Sequence, residues 1–283
     1  MRVAGDMASR KGTGAIVVLG VAVAATAASV DAATRRPVSF VQPTSIELEP
    51  SGTLLLVENN PGRLLRVDPA TGRVGVIVRS IPYPRPYAVV RTSSGRVLFS
   101  AGNALRRVVA GLVPATVLRT ESDIGPIAAA RDGTVYYATG TNVYRLPDGA
   151  SAATAIGSGV SLSAPHGIAV APDGAVLLAD TGHNRILRID PASDGAATLA
   201  HVTSPRGLDV AADGTIYVVD SGANRVLRLR ASGSRLGYLA RTSGDLYDVQ
   251  VARNGVVYVL EAGQAGWVRR IARNGAVTTI SRS

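Results

Sequence analysis

The sequence predicts an all-β protein, a six-bladed β-propeller of four-stranded antiparallel blades preceded by a signal peptide. Three observations lead to this fold class. A unit of about 40 residues recurs along the chain, each unit contains four short apolar stretches, and a tight turn with glycine joins the first two. The copies are plainest at 165–190, PHGIAVAPDGAVLLADTGHNRILRID, and at 205–230, PRGLDVAADGTIYVVDSGANRVLRLR.

The turn glycine anchors the repeat, because glycine tolerates the positive φ that a tight hairpin turn requires. Equivalent glycines stand 43, 38, 41, 40 and 41 residues apart, at Gly52, Gly95, Gly133, Gly174, Gly214 and Gly255. In the fourth unit the predicted strands are 167–171, 175–179, 185–190 and 196–201. Six blades follow, starting near residues 43, 86, 124, 165, 205 and 246.

We divide the chain into a signal peptide at 1–33, a lead-in at 34–42 and one propeller domain at 43–282. A closed ring leaves no open sheet edge. The sequence offers two outermost strands for the last blade, 276–282 at the C-terminus and 38–41 before the first blade. We do not expect both to occupy that position: the segment 38–41 either adds a fifth strand or is merely a lead-in, so it is a possible closing strand.

The N-terminus has the parts of a secretory signal, with basic residues at Arg2, Arg10 and Lys11 and an apolar run at 15–28. Small residues follow, and we expect cleavage near Ala32 or Ala33. The run is shorter than the ~20 apolar residues of a membrane-spanning helix, so no stable membrane insertion is expected after cleavage. We expect a secreted, periplasmic or cell-wall-associated protein.

The amino-acid composition limits the kinds of functional site and partner that the chain can have. The chain has no cysteine, which excludes disulfides, thiol nucleophiles and thiolate metal sites. The formal net charge is +10, but the basic residues are scattered arginines with a single lysine, Lys11. Such dispersion suits a solvated rim or attraction to acidic wall polymers. We expect a monomer that does not bind nucleic acid.

Two units carry a recognisable motif, Pro-x-Gly-hydrophobic, then Asp-Gly, a strand, and Asp-x-Gly-x-Asn-Arg, at 165–185 and 205–225. This pattern resembles the NHL repeat. The other units match loosely and keep Pro43, Gly52, Glu58 and Arg63 in blade one, Pro86, Gly95 and Arg106 in blade two, and Asp132-Gly133 in blade three. The resemblance implies a propeller fold and does not specify a reaction.

The chain is also similar to two enzyme branches of six-bladed propellers. Gluconolactonase-like propellers have an early Glu-Gly-Pro motif, where this chain reads Pro-Thr-Ser-Ile-Glu at 43–47, so their metal ligands cannot be transferred. Streptogramin-lyase propellers are echoed at 54–58 and 184–189 but have a Trp-Phe-Thr-Glu strand that is missing here. The zinc site of the related amidating lyases uses three His on separate blades; His166, His183 and His201 do not reproduce it, which disfavours zinc hydrolysis.

Each predicted blade is a meander, so two positions in every blade lie at the same end of the propeller. The first follows the repeat proline and holds Thr44, Tyr87, Gly125, His166, Arg206 and Tyr247. Because polar groups around a channel mouth form the usual ligand site of such a fold, we predict a ligand-binding face with His166, Arg206, Tyr247, Tyr87 and Thr44.

The second position lies six residues after the turn glycine and holds Glu58, Ala101, Thr139, Asp180, Asp220 and Glu261. Its four carboxylates suit a hard divalent cation such as calcium. They equally suit a structural role, in which Asp180 and Asp220 cap their own turns and bind Arg185 and Arg225. The sequence leaves both interpretations open.

The predicted function is an exported NHL-type binding or interaction module that takes a protein, a glycan or a small ligand at one propeller face. This prediction depends on regular repeats without an intact catalytic constellation. The alternative is a divalent-cation-dependent lactonase, hydrolase or lyase that uses Glu58, Asp180, Asp220 or Glu261.

Overall fold

A computed structural model describes residues 36–263 and 265–281, so the predicted signal peptide lies outside the described residues. The prediction of an all-β, six-bladed propeller with four-stranded antiparallel blades is confirmed. The first strands of the blades begin at Pro43, Pro86, Ile127, Pro165, Pro205 and Asp245. No helix in these residues is long and apolar enough to cross a membrane.

The strands are numbered in chain order, and β1 is Ser39–Phe40. Blade one holds β2 (Pro43–Leu48), β3 (Leu54–Glu58), β4 (Arg63–Val67) and β5 (Val74–Val78); blade two holds β6 (Pro86–Arg91), β7 (Val97–Ala101), β8 (Ala104–Arg107) and β9 (Ala115–Arg119). Blade three holds β10 (Ile127–Ala129), β11 (Val135–Ala138), β12 (Val143–Leu146) and β13 (Thr154–Ile156); blade four holds β14 (Pro165–Val170), β15 (Val176–Asp180), β16 (Arg185–Asp190) and β17 (Gly195–His201).

Blade five holds β18 (Pro205–Val210), β19 (Ile216–Asp220), β20 (Arg225–Leu229) and β21 (Arg235–Arg241); blade six holds β22 (Asp245–Val251), β23 (Val257–Ala262), β24 (Gly266–Ile271) and β25 (Val277–Thr279). Short 3-10 turns at Thr181–His183 and Ser221–Ala223 link the second and third strands of blades four and five.

The second strand of a blade is the most deeply buried, because neighbouring blades cover both of its faces. Every residue of β3 and of β15 is buried, and both strands are nearly continuous apolar runs of Leu, Val and Ala. The outer strands instead expose one side, as in β17, where no residue is fully buried. The core therefore lies between the blades.

The glycine of the Pro-x-Gly motif allows adjacent inner strands to approach closely. A Cβ on Gly167 would collide with the carbonyl oxygen of Arg206 in the next blade. A Cβ on Gly207 would lie 2.5 Å from the Cα of Asp248, again in the next blade. The motif glycines are thus explained by the packing of blade four on five and of blade five on six.

Both chain ends close the ring: 38–41 contributes β1 as a fifth strand, one of the two alternatives, and the expectation that the two ends cannot share the outer position is wrong. β1 pairs with the start of β24, with Phe40 opposite Gly266, and β25 pairs with its end, with Thr279 opposite Arg269. The Val38 N–H donates to the Ile280 carbonyl at 3.0 Å. Each terminal segment is shorter than β24, so the two lie end to end along its outer edge.

Candidate functional site

A channel runs along the propeller axis and is lined by the inner strands of the blades. Its volume is about 550 Å³. At one end, the rim carries the predicted ligand-binding residues, which we call the tyrosine mouth: Thr44, Tyr87, His166, Arg206 and Tyr247. Four of these residues line the channel directly, and Arg206 lies beside them against Tyr247.

Tyr247 is the centre of the tyrosine mouth. The guanidinium carbon of Arg206 lies 4.9 Å from the centroid of the Tyr247 ring, a cation–π arrangement. The His166 ring meets the same tyrosine edge-on, with centroids 6.1 Å apart and an interplanar angle of 80°. The hydroxyls of Tyr247 and Tyr87 are 3.5 Å apart. The structure therefore brings together side chains from blades two, four, five and six.

Neighbouring groups also hold Thr44 and Arg206 in place. The Thr44 hydroxyl donates to the Tyr87 carbonyl at 2.7 Å, which ties blade one to blade two. Arg206 donates from Nη1 to both carboxylate oxygens of Asp245 at 3.0 Å, which ties blade five to blade six. Because Asp245 offsets the charge of Arg206, the mouth does not present a free cation.

His166 has a defined protonation state. Burial lowers its pKa below the usual range, the Arg206 charge lowers it further, and a hydrogen bond to Ala164 opposes both effects. Nδ1 lies 2.9 Å from the Ala164 carbonyl oxygen, which can only accept, so Nδ1 carries the proton. At neutral pH the ring is uncharged, and Nε2 is left with a lone pair that can accept a hydrogen bond.

The four carboxylates of the second position are each paired within their own blade. Glu58, Asp180, Asp220 and Glu261 are all nearly inaccessible to solvent. Each accepts a hydrogen bond from an arginine Nε of the following strand at 2.6–2.8 Å, with partners Arg63, Arg185, Arg225 and Arg269. The structure leaves them in four separate blades, and within residues 36–263 and 265–281 no three His, Asp or Glu side chains gather as a metal site.

Two of these carboxylates also bind the chain segment that leads into their blade. Glu58 accepts from the Val41 N–H at 2.8 Å, and Asp180 accepts from the Ser163 N–H at 2.7 Å. In Asp220 and Glu261 the second oxygen is buried and has no hydrogen-bond partner among the described residues. The predicted pairing with arginine is confirmed, but the predicted capping is wrong, because neither Asp180 nor Asp220 caps the 3-10 turn that follows it. The Asp–Arg pair of the repeat is thus a clamp that joins the two ends of the turn.

Sequence reasoning missed three acidic residues on the channel wall, Glu47, Asp209 and Asp248. Each reaches across a blade boundary to a main-chain N–H of the next inner strand. Asp209 accepts from Val251 at 2.7 Å and Asp248 from Ile46 at 2.9 Å, whereas the Glu47 bond to Arg91 is long at 3.5 Å. These side chains satisfy donors that the inner strands present to the channel.

The signal that could have revealed these residues is a break in the apolar pattern of the first strand. Glu47 and Asp209 stand opposite the third residue after the turn glycine, where blades two, three and four have Val90, Ala128 and Ala169. A polar side chain at this position, which is Gln250 in blade six, marks a blade boundary that the side chain bridges.

Burial in the channel wall raises the pKa of these three acidic residues. Burial raises the pKa of Asp209 to about 7 and that of Asp248 to about 6, against the opposing effect of their main-chain hydrogen bonds. Burial also raises the pKa of Glu47 well above its usual range, and the nearby charge of Asp209 adds to this. The channel interior thus holds carboxyls that change charge near neutral pH.

Comparison with known proteins supports the fold. The NHL repeat family model matches residues 162–189, and no curated protein matches the sequence. A gluconolactonase from Xanthomonas campestris superposes with a TM-score of 0.72 at 17% identity, covering 86% of this chain and 88% of the other. Virginiamycin B lyase from Staphylococcus aureus gives 0.67 at 15% identity, covering 86% and 87%.

A calcium-binding protein, regucalcin, from Agrobacterium tumefaciens gives a TM-score of 0.66 at 19% identity, covering 80% of this chain and 83% of the other. At these identities the similarity establishes the architecture alone. The resemblance to the NHL repeat and to gluconolactonase-like and streptogramin-lyase-like propellers is confirmed at that level: the chain is a six-bladed β-propeller that contains an NHL repeat.

Proposed function

We propose that this protein is an exported binding module that takes a small ligand in the tyrosine mouth. The observation that carries the proposal is the assembly around Tyr247, where an arginine, a neutral histidine and a second tyrosine from different blades meet at the rim of an open channel. The channel volume of about 550 Å³ lies within the range of ligand-binding clefts. Export is supported by the N-terminal sequence pattern.

The chemistry of the mouth favours a cyclic ligand that bears hydroxyl groups. His166 offers an acceptor at Nε2, and the two tyrosines offer hydroxyls that donate or accept. Burial and the neighbouring Tyr247 raise the pKa of Tyr87, so its phenol stays protonated. Aromatic rings supply an apolar surface for the face of a sugar or lactone ring. Because Asp245 offsets Arg206, a neutral ligand fits better than a strongly anionic one.

The structural neighbours favour a second candidate, a lactonase or lyase that depends on a divalent cation. In this chain a metal at Glu58, Asp180, Asp220 or Glu261 would have to displace an arginine from each carboxylate. Losing such a buried partner is costly, since it leaves a charge uncompensated. We therefore place the enzyme second to the binding module.

A ligand panel tests the binding proposal. Saturation-transfer NMR with glucono-1,5-lactone, cellobiose and quinupristin should detect at least one binder for the protein that lacks residues 1–33. The triple variant His166→Ala, Arg206→Ala, Tyr247→Ala should lose that signal, whereas Thr139→Ala, in blade three, should retain it. The proposal fails if no member of the panel binds, or if the triple variant binds as the parent does.

A thermal-shift series separates the two candidates. A cation that binds the folded protein raises its melting temperature by mass action. The binding module predicts no shift with millimolar calcium, magnesium or zinc. A shift that Asp180→Asn or Glu58→Gln abolishes would favour the cation-dependent enzyme instead.

A further inference from the structure

The opposite end of the channel opens into a wide basin between the turns that join the first and second strands of blades three to six, which we call the arginine basin. Its volume is about 960 Å³, and it shares wall residues such as Val170 and Val210 with the channel. We propose that the arginine basin binds an acidic oligosaccharide, a sugar chain that carries carboxylate or sulfate groups. This site is separate from the tyrosine mouth and does not depend on the function proposed for it.

Small side chains open the basin on one side of the axis only. One position, three residues before the turn glycine, makes the last hydrogen bond between the first and second strands of a blade. In blades three to six this residue is alanine: Ala130, Ala171, Ala211 and Ala252. Each of these alanines is partly exposed. Blades one and two have Glu49 and Thr92 at that position, and both are buried. The floor of the basin is therefore apolar and lies off the axis.

The walls of the basin are positively charged. Arg131, Arg228, Arg253 and Arg273 line it, together with two aspartates, Asp132 and Asp213. Both aspartates already accept hydrogen bonds from the main-chain N–H groups of their own turns, at Thr134 and Thr215. None of the four arginines forms an ion pair with a described residue.

Arg228 differs from two of its counterparts in other blades, and it shares an unpartnered buried Nε with Arg145 at the same position of blade three. It stands in the third strand opposite the third residue after the turn glycine, as do Arg66 and Arg188. Arg66 pairs with Glu49 at 2.6 Å and Arg188 with Asp173 at 2.9 Å. The Nε of Arg228 is instead buried and has no hydrogen-bond partner among the described residues. Because such an orphaned charged donor is costly, an anion that compensates Arg228 should bind favourably.

The placement of the arginines requires a ligand with more than one negative group. Arg131 belongs to blade three and Arg253 to blade six, which face each other across a six-bladed ring. A single phosphate or carboxylate cannot reach both sides of the arginine basin. Guanidinium groups bind carboxylate and sulfate in two-pronged fashion, which favours these substituents on an extended ligand.

The remaining lining favours sugar rings between those charges. Tyr217 adds an aromatic surface beside Arg228, and the alanine floor offers no competing polar groups. Burial raises the pKa of Tyr217, so its phenol remains uncharged and can donate a hydrogen bond. A chain of rings with acidic substituents matches this combination of apolar floor, aromatic wall and separated cations.

Isothermal titration calorimetry with tetragalacturonate at 50 mM and 300 mM NaCl tests the proposal on the protein that lacks residues 1–33. We expect binding at low salt that weakens several-fold at high salt, because salt screens exposed charges. The double variant Arg131→Ala, Arg253→Ala should weaken binding at least tenfold. Arg107→Ala is the matched control: it removes an exposed arginine at the Arg228 position of blade two, outside the basin, and should change affinity less than twofold.

The same titrations contain the results that would overturn the assignment. The same loss of affinity per arginine removed in the double variant and in Arg107→Ala would mean that total charge, not the basin, sets affinity. Binding of tripolyphosphate as tight as that of tetragalacturonate would exclude a saccharide site, and tight binding of neutral maltotetraose would exclude the role of the arginines. Tyr247→Ala should leave tetragalacturonate binding unchanged, which separates this site from the tyrosine mouth. Circular dichroism melting verifies that each variant is folded.

Discussion

Blades one, four, five and six differ from blades two and three at the turn between the second and third strands. The first group has a buried carboxylate that binds an arginine, as Asp180 binds Arg185. The second group has Ala101 and Thr139 at the same position, and neither forms an ion pair. The turns differ accordingly: β7 ends at Ala101 and β8 begins at Ala104, whereas β15 and β16 are separated by the 3-10 turn Thr181–His183.

This difference indicates that the carboxylate–arginine pair, which recurs most regularly in the repeat, has a structural role. The carboxylate closes a longer turn by accepting from an arginine of the next strand, and in blades one and four it also holds the incoming segment. The residues assembled at the tyrosine mouth stand at a position whose identity changes from blade to blade. Side chains that the repeat dictates stabilise the ring, and side chains that it leaves free can take a ligand.

The largest expected effect comes from breaking one clamp. Asp180→Ala leaves Arg185 and the Ser163 N–H without their partner and should lower the free energy of unfolding by about 3–5 kcal/mol. Thr139→Ala, the same position in blade three, removes only a weak hydroxyl contact and should cost about 1 kcal/mol or less. Urea denaturation measures both, and equal losses would contradict a structural division between the two groups of blades.

The pH dependence of folding stability should reveal the buried acidic residue Asp209 on the channel wall of blade five. Asp209 titrates near 4 in an unfolded chain but at about 7 in the folded protein, so folding favours its protonated form. Stability should therefore fall as the pH rises from about 4 to about 7, by about 4 kcal/mol, and then level off. Asp209→Asn should reduce this dependence in urea titrations at pH 4.5, 6.0, 7.5 and 8.5, while the contributions of Asp248 and Glu47 remain. An unchanged slope in the variant would exclude Asp209 as its source.

A smaller difference in stability is expected between substitutions of Asp180 and Asp220, which both belong to the group of blades with a buried carboxylate. Both oxygens of Asp180 have partners, whereas one oxygen of Asp220 has none among the described residues. Asp180→Asn places an amide where the Ser163 N–H or Arg185 needs an acceptor, but Asp220→Asn can turn its amide nitrogen to the unused side. We expect Asp180→Asn to destabilise by about 1–2 kcal/mol more than Asp220→Asn. A reversed order in chemical denaturation would contradict the clamp geometry.

Local patterning predicted much of the fold. The turn glycines and the apolar runs report on backbone conformation and burial within one blade, so they specify the six blades and their four strands. A fifth strand at 38–41 was one of two alternatives, but the sharing of β24 by β1 and β25 was not predicted, because it depends on how two chain ends meet in space. The Asp180–Arg185 pair was foreseen as one of two interpretations, since both members lie in a single turn.

The candidate sites were less accessible from the sequence. The first-position residues were recognised as sharing one face, but the contacts of Tyr247 with Arg206, His166 and Tyr87 depend on the angles between blades. Glu47, Asp209 and Asp248 were missed because their partners are main-chain groups in the next blade, 40 or more residues away along the chain. The arginine basin depends on an absence of bulk in four blades, which no single repeat reveals.

The most direct test of the central claim compares ligand binding and stability in one variant. For whichever panel member binds the parent protein most tightly, Tyr247→Ala should weaken affinity in calorimetric titration by about tenfold or more while changing the free energy of unfolding by about 1 kcal/mol or less. Thr139→Ala serves as the control with unchanged affinity. If Tyr247→Ala binds as tightly as the parent, the tyrosine mouth is not the ligand site.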